Sequence, residues 1–147
     1  MVMFFSAHSY AGQQNQWLDT LDLKEYKNKV VYLDFWASWC GPCRKSFPWL
    51  NKMQEKYKTR GLVVIGINLD RDIKVAEQFL TKIPAQFLLF SDPTGALGKE
   101  YKLQGMPSSY IFNGNGELSD KHIGFTKSKV DEYEKNIVKL LNQLDKP

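Results

Sequence analysis

The chain is poor in the residues that staple or metallate small proteins. Two cysteines and two histidines occur in 147 residues. A disulfide-rich scaffold is therefore excluded, and so is a four-cysteine zinc site within one chain. No stretch approaches the ~18 consecutive apolar residues that a membrane span requires, so no transmembrane helix is expected in this sequence. One-sided charge is also missing, since the net charge is only +4. Nucleic-acid binding would gather basic residues on one element with exposed aromatics, and that pattern is absent; no nucleic-acid partner is expected. What remains is ordinary globular usage, 43% hydrophobic and 24% charged, in a length that suits a single domain able to bury a core without cross-links.

The small positive excess is localised. Residues 1–23 carry −2, residues 24–60 carry +6, and the two remaining stretches, 61–104 and 105–147, are each neutral. The basic block coincides with the stretch that holds both cysteines, Cys40 and Cys43.

Residues 1–16 begin apolar, continue through small residues and end polar. Ser9 and Ala11 stand two apart, as small residues do before a signal-peptidase cut, but a basic start and a full apolar core are missing. The segment reads either as a signal-peptide remnant or as a disordered N-terminus. The domain is expected over 17–147. The export reading puts the protein outside the cytoplasm, in a periplasmic or other extracytoplasmic space; the alternative is cytoplasmic.

Val30 to Ala37, broken only by Asp34, and Leu62 to Ile67 read as buried strands. Phe87 to Phe90 and Ser109 to Phe112 suggest two more, and a weaker strand from Glu117 to Ile123 follows the turn residues Asn113-Gly114-Asn115-Gly116. Helical spacing links Phe47, Leu50, Met53 and Tyr57, with a kink expected at Pro48. Asp72 can cap a helix bearing Ile73, Ala76, Phe79, Leu80 and Ile83. A short helix follows Pro93, and a last one carries Val130, Tyr133, Ile137, Leu140, Leu141 and Leu144, with Ser128 and Asp131 set as a capping box. The order is β-α-β-α-β-α-β-β-α, with a further short strand expected near Leu21–Leu23. This predicts an α/β fold: a central mixed sheet with helices on both faces.

Chemistry concentrates at Trp39-Cys40-Gly41-Pro42-Cys43, directly after a buried strand and opening a helix. Unpaired backbone N–H groups and the helix dipole stabilise an anion there, which favours a Cys40 thiolate. Thiolate is the nucleophile of disulfide exchange, and Arg44 and Lys45 push the same way. Cys43, one turn inside, is placed to resolve a mixed disulfide, and Pro42 suits a first helical turn. The rival readings are weaker. Zinc needs further ligands, and only His8 and His122 exist. A structural bridge across three residues restrains little chain entropy, and no placed histidine supports a protease-like pair.

Asp34 lies mid-strand, six residues before Cys40. Either the pleat turns it toward solvent, Lys56 or Lys58, or it is a buried proton acceptor beneath the dithiol. Pro107, at the start of the fourth strand, reads on base rates as an ordinary trans residue.

Residues from about Leu21 to Leu144 resemble the thioredoxin superfamily, and within it the TlpA-like branch of extracytoplasmic thiol–disulfide oxidoreductases, which includes the ResA and CcmG/DsbE types. The resemblance rests on residues 23–44, ending in Asp-Phe-Trp-Ala-Ser-Trp-Cys-Gly-Pro-Cys-Arg; on Gly-Leu-Val-Val-Ile-Gly-Ile-Asn-Leu-Asp (61–70); and on Gly-Met-Pro-Ser-Ser-Tyr-Ile-Phe (105–112). The helix and strand expected between Asp70 and Asp92 look like the insertion that marks this branch. The resemblance implies a thioredoxin-like fold and a dithiol–disulfide oxidoreductase with catalytic Cys40, Cys43 and Asp34. It implies no metal and no cofactor beyond the Cys40–Cys43 disulfide. Pro107 is implied to be cis and to pack on the dithiol, with the Met106 backbone pairing with an extended client segment. Trp39, Gly41 and Pro42 complete the client-binding surface. The implied partners are disulfide-containing client proteins and an upstream electron-donor protein, met by a monomer. Gly41-Pro42 and Asp34 are thioredoxin's own choices, and Ser46 stands where many branch members carry glutamate. A general reductant is therefore expected, serving extracytoplasmic thiol homeostasis or cytochrome c maturation. The alternatives are a redox-linked binding module or chaperone, for example for a copper-site protein, and a thiol peroxidase, whose reactive cysteine sits in a different motif.

Overall fold

A computed structural model describes residues 15–144. The expectations for the N-terminal segment fall, for residues 1–14, outside the described residues. Gln16 and Leu18 are already tied to the domain: the Leu89 N–H donates to the Gln16 carbonyl at 2.9 Å, and Leu18 N–H to the Leu89 carbonyl at 2.7 Å.

The expected element order is present. It runs β1 (Val30–Trp36), α1 (Gly41–Tyr57), β2 (Leu62–Asn68), α2 (Ile73–Lys82), β3 (Leu88–Ser91), α3 (Ala96–Glu100), β4 (Ser108–Phe112), β5 (Leu118–Ile123) and α4 (Val130–Asn142). The strands form one sheet in the order β3-β2-β1-β4-β5. β1, β2 and β3 are parallel, whereas β4 lies antiparallel to β1 and β5 antiparallel to β4.

β1 is central and buried along its whole length. Its alternate residues therefore feed two separate cores, as a period of two demands. Val30, Tyr32 and Trp36 pack with Phe47, Leu50 and Met53 of α1, Phe79 of α2 and Ile137 of α4. Val31, Leu33 and Phe35 pack on the other side with Leu97 of α3, Leu103 and the N-terminal residues Leu18, Leu21, Leu23 and Tyr26. Gln54 locks α1 onto β2 by donating to the Leu62 carbonyl at 2.9 Å and accepting from Val64 N–H at 2.7 Å.

Two local expectations are corrected. Residues Leu23–Tyr26 form a 3-10 turn rather than a strand. Asp22 accepts from Lys24 N–H, and this side-chain cap diverts the backbone from a ladder. α1 runs as one helix from Gly41 to Tyr57 with Pro48 inside it, and the apolar face carrying Phe47, Leu50 and Met53 is buried on both sides of that proline. The Ser128–Asp131 capping box does not form. A 3-10 turn (Lys127–Lys129) leads into α4, the N-cap is Lys129 with no side-chain cap, and the Ser128 hydroxyl faces Thr126 instead.

Candidate active site

The site is built where β1 ends and α1 begins. Leu69 N–H donates to the Trp36 carbonyl at 2.9 Å, extending β2 past the strand end. The loop that follows is clamped by Asp70: its two carboxylate oxygens accept from the backbone N–H and hydroxyl of Ser38. Asn68 holds Asp70 in turn, donating to its carboxylate at 2.8 Å. Trp39 is thereby presented on a fixed loop, 73% exposed. Its side chain borders the surface groove described below.

Cys40 is the N-cap of α1, in extended conformation. Its Sγ accepts from the Cys43 N–H at 3.3 Å. This is a helix N-terminus in which sulfur takes the place usually held by a serine or aspartate oxygen. Cys40 and Cys43 form a disulfide with their Cα atoms 5.3 Å apart. Cys43 is fully buried; Cys40 is 4% exposed and borders the surface groove described next. Pro42 occupies the first helical turn, where its missing N–H costs nothing. A Cβ on Gly41 would meet nothing within 4 Å, so packing inside the chain does not require glycine there. Arg44 lies over the Phe79 ring at 5.5 Å.

Opposite the dithiol, the Met106–Pro107 peptide bond is cis. Pro107 is buried and Met106 half-buried. Ser108 steadies this turn by donating to the Gly105 carbonyl at 2.6 Å, and Gly124 N–H donates to the Pro107 carbonyl at 2.7 Å. No hydrogen bond engages the Met106 backbone among the described residues. A groove of about 510 Å³ separates the two sides, lined by Trp39, Cys40, Pro42, Leu69, Leu103 and Met106. Sequence reasoning missed Leu69 and Leu103. Both come from connections whose periodicity says nothing of which surface they join.

Asp34 is 1% exposed. The reading that turns it to solvent or to lysine is overturned, since Lys56 pairs with Glu134 and Lys58 with Glu55. By strand alternation it shares the face of Tyr32 and Trp36, the face covered by α1 and Cys43. The Ser109 hydroxyl donates to Asp34 Oδ1 at 2.8 Å, and Oδ2 has no partner. Burial pushes this carboxyl up to about 7, against the opposing effect of the Ser109 bond. Ser109 was read only as the start of a strand, because a lone serine carries no signal until its cross-strand partner is known. No grouping of three or more histidine, cysteine or acidic side chains suited to a metal ion occurs among the described residues. His122, weighed as a ligand from sequence, stacks on Tyr133 instead, with ring centroids 4.4 Å apart.

A helix-opening dithiol, a cis-proline turn across from it and a mixed five-stranded sheet define a thioredoxin-fold thiol–disulfide oxidoreductase. The chain belongs to the Redoxin family, whose model matches residues 11–137, and within the thioredoxin superfamily it is TlpA-like. It is 31% identical to the thiol-disulfide oxidoreductase ResA of Bacillus thuringiensis subsp. konkukian, over 80% of this chain and 68% of that protein. It is 29% identical to the thioredoxin-like protein YneN of Bacillus subtilis, over 87% of this chain and 73% of the relative. Among solved structures, one assigned to the thiol:disulfide interchange protein DsbE of Chlorobium tepidum is 44% identical, with a TM-score of 0.79 over 81% of this chain and 84% of that one. StoA of Bacillus subtilis gives 28% and 0.62, over 74% and 84%.

Proposed function

We propose that this protein reduces disulfides in extracytoplasmic client proteins, with Cys40 as nucleophile, Cys43 as resolving thiol and Asp34 as proton acceptor. The observation that carries the reading is the pairing of a groove-lining Cys40 at a helix N-cap with a fully buried Cys43. The N-terminal amides and helix dipole favour a thiolate at Cys40. In the reduced protein the Cys40 thiolate attacks one sulfur of a client disulfide. The Cys40–client bond forms and the second client sulfur leaves as thiolate. Cys43 then gives its proton to Asp34 as its sulfur attacks Cys40. The Cys40–Cys43 bond forms, the first client sulfur departs, and two electrons have passed to the client. A carboxyl near 7 suits a general base working at neutral pH.

The client would lie extended across the groove, its backbone pairing with Met106 beside Pro107, while Trp39, Gly41 and Pro42 face it. The free Met106 backbone and the open space over Gly41 support this arrangement. The oxidised protein then needs an upstream dithiol donor, and a monomer suffices for every step. The extracytoplasmic setting rests on the TlpA-like resemblance, and cell fractionation tests it.

The test is turnover of a protein disulfide such as insulin, with dithiothreitol as donor, by wild type and by Cys43→Ser. The variant should lose turnover and accumulate a Cys40–client mixed disulfide. Retained turnover in the variant would overturn the mechanism and favour a binding or chaperone role.

A further inference from the structure

Asp34 and Ser109 are directly opposed residues on the antiparallel strands β1 and β4. They are 1% and 4% exposed, so neither reaches water. A buried hydroxyl is costly unless it is hydrogen-bonded, and this one donates to Asp34 Oδ1. We propose that Ser109 is a positioning residue for proton transfer at the active site: it holds Oδ1, aims the carboxyl at the α1 side of the sheet, and leaves Oδ2 as the atom that takes the Cys43 proton. The inference rests on the reading of Asp34 as proton acceptor and adds the residue that orients it.

Among the described residues Ser109 is the only side chain hydrogen-bonded to the Asp34 carboxyl. On the β2 side the residue opposite Asp34 is Gly66, which has no side chain. The space above Gly66 is filled by Phe87, Leu89 and the Trp36 indole. From α1 come Cys43, Phe47 and Leu50, none of them charged. On β1 itself, Tyr32 is buried on the same face, and its phenol feels both the Asp34 carboxyl and the Ser109 hydroxyl. Beyond Ser109 the next strand places His122 opposite it. That imidazole is held near Asp120 and Asn136, with Glu132 and Lys129 acting on it from the α4 side. Burial and the Ser109 hydroxyl are the two influences resolved on the Asp34 carboxyl.

The geometry survives the cycle. When Oδ2 carries the proton, Oδ1 is a carbonyl oxygen and still accepts from Ser109. When the proton leaves, the same bond stabilises the carboxylate. The neighbouring Ser108 does a different job, since its hydroxyl holds the Gly105 carbonyl of the cis-proline turn.

The experiment follows the rate at which the Cys40 mixed disulfide is resolved, from about pH 5 to about pH 9, read by tryptophan fluorescence in the full chain. Wild type, Ser109→Ala, Ser109→Thr and Asp34→Asn are compared. Wild type should show an inflection near 7. In Ser109→Ala the inflection should rise by about one pH unit, because a hydrogen bond to the charged form is lost, and the rate at pH 7 should fall about fivefold. The rate plateau at high pH should be kept, and Ser109→Thr should restore the wild-type inflection. A merely structural role would lower the plateau and leave the inflection where it was, and that result would overturn the proposal. An inflection that persists in Asp34→Asn would instead overturn the reading of Asp34, and with it the role of Ser109. Should Ser109→Ala not fold, a ¹³C titration of the Asp34 carboxyl in Ser109→Val against Ser109→Thr decides the same question: a higher midpoint in Ser109→Val supports the proposal and equal midpoints contradict it.

Discussion

Ser38 and Asp70 are joined twice: the Ser38 backbone N–H donates to one carboxylate oxygen at 2.9 Å and the Ser38 hydroxyl to the other at 2.8 Å. This pair fixes the loop that carries Trp39 and Cys40 to the end of β2, with Asn68 as its own support. Asp70 is 4% exposed, so its hydrogen bonds are not replaced by water when they are lost. Asp70→Ala should destabilise the protein by about 1–3 kcal/mol, the cost of leaving partners unsatisfied. It should also raise amide exchange at Ser38. Urea unfolding and hydrogen exchange check both; unchanged protection at Ser38 would show that the loop is held by other means.

Asp34 makes stability depend on pH in an unusual direction. Its carboxyl is raised from 3.8 in the open chain to about 7 in the fold. Between those values the native state binds more protons than the unfolded one, so stability falls as pH rises through the window, and the penalty is complete above about 7. The size is on the order of 4 kcal/mol at most. Asp34→Asn should therefore be more stable than wild type at pH 8 and should lose that advantage by pH 4. Chemical denaturation at the two pH values measures it, and an advantage independent of pH would contradict the assignment.

Gly66 is held to glycine by space rather than by backbone conformation. A Cβ there would stand 2.9 Å from the Phe87 ring and 3.0 Å from the Trp36 indole nitrogen. Those rings belong to a tight cluster, with Trp36 and Phe47 centroids 4.8 Å apart and Phe47 and Phe87 5.2 Å apart. Gly66→Ala should cost about 1–3 kcal/mol by overpacking and shift the intrinsic tryptophan fluorescence. A neutral result in thermal unfolding would mean that the cluster yields more readily than its packing implies.

Trp39 is exposed and lies outside both cores, and the proposed function gives it a part in holding clients. Trp39→Ala should change stability by no more than about 0.5 kcal/mol. It should raise KM for a protein disulfide severalfold while leaving reduction of a small disulfide nearly unchanged. Equal losses on both substrates would place Trp39 in the chemistry instead.

Much of this was legible in the sequence because local rules suffice for it. β1 and β2 announce themselves as apolar runs, β5 by the turn residues before it, α1 and α4 as 3.6-residue spacing, and Cys40–Cys43 as a motif whose position at a helix start is itself the chemistry. Asp34 stood out because a carboxylate in an apolar strand has no cheap explanation. What was hidden depends on contacts between distant segments. Ser109 sits 75 residues from its partner Asp34, and Asp70 lies 32 residues from Ser38. Leu69 and Leu103 meet only where the fold brings two connections to one groove. The expected strand at Leu21–Leu23 failed for a local reason, since the Asp22 cap favours a turn over a ladder.

The direction of electron flow is tested most directly by the midpoint potential of the Cys40–Cys43 couple. The protein is equilibrated in dithiothreitol redox buffers and read by the fluorescence of Trp36 and Trp39. A thioredoxin-like Gly-Pro pair between the cysteines predicts a value near about −270 mV, that of a reductant. A value above about −180 mV, in the range of protein disulfide isomerase, would make the protein an oxidase or isomerase and contradict the direction assigned here.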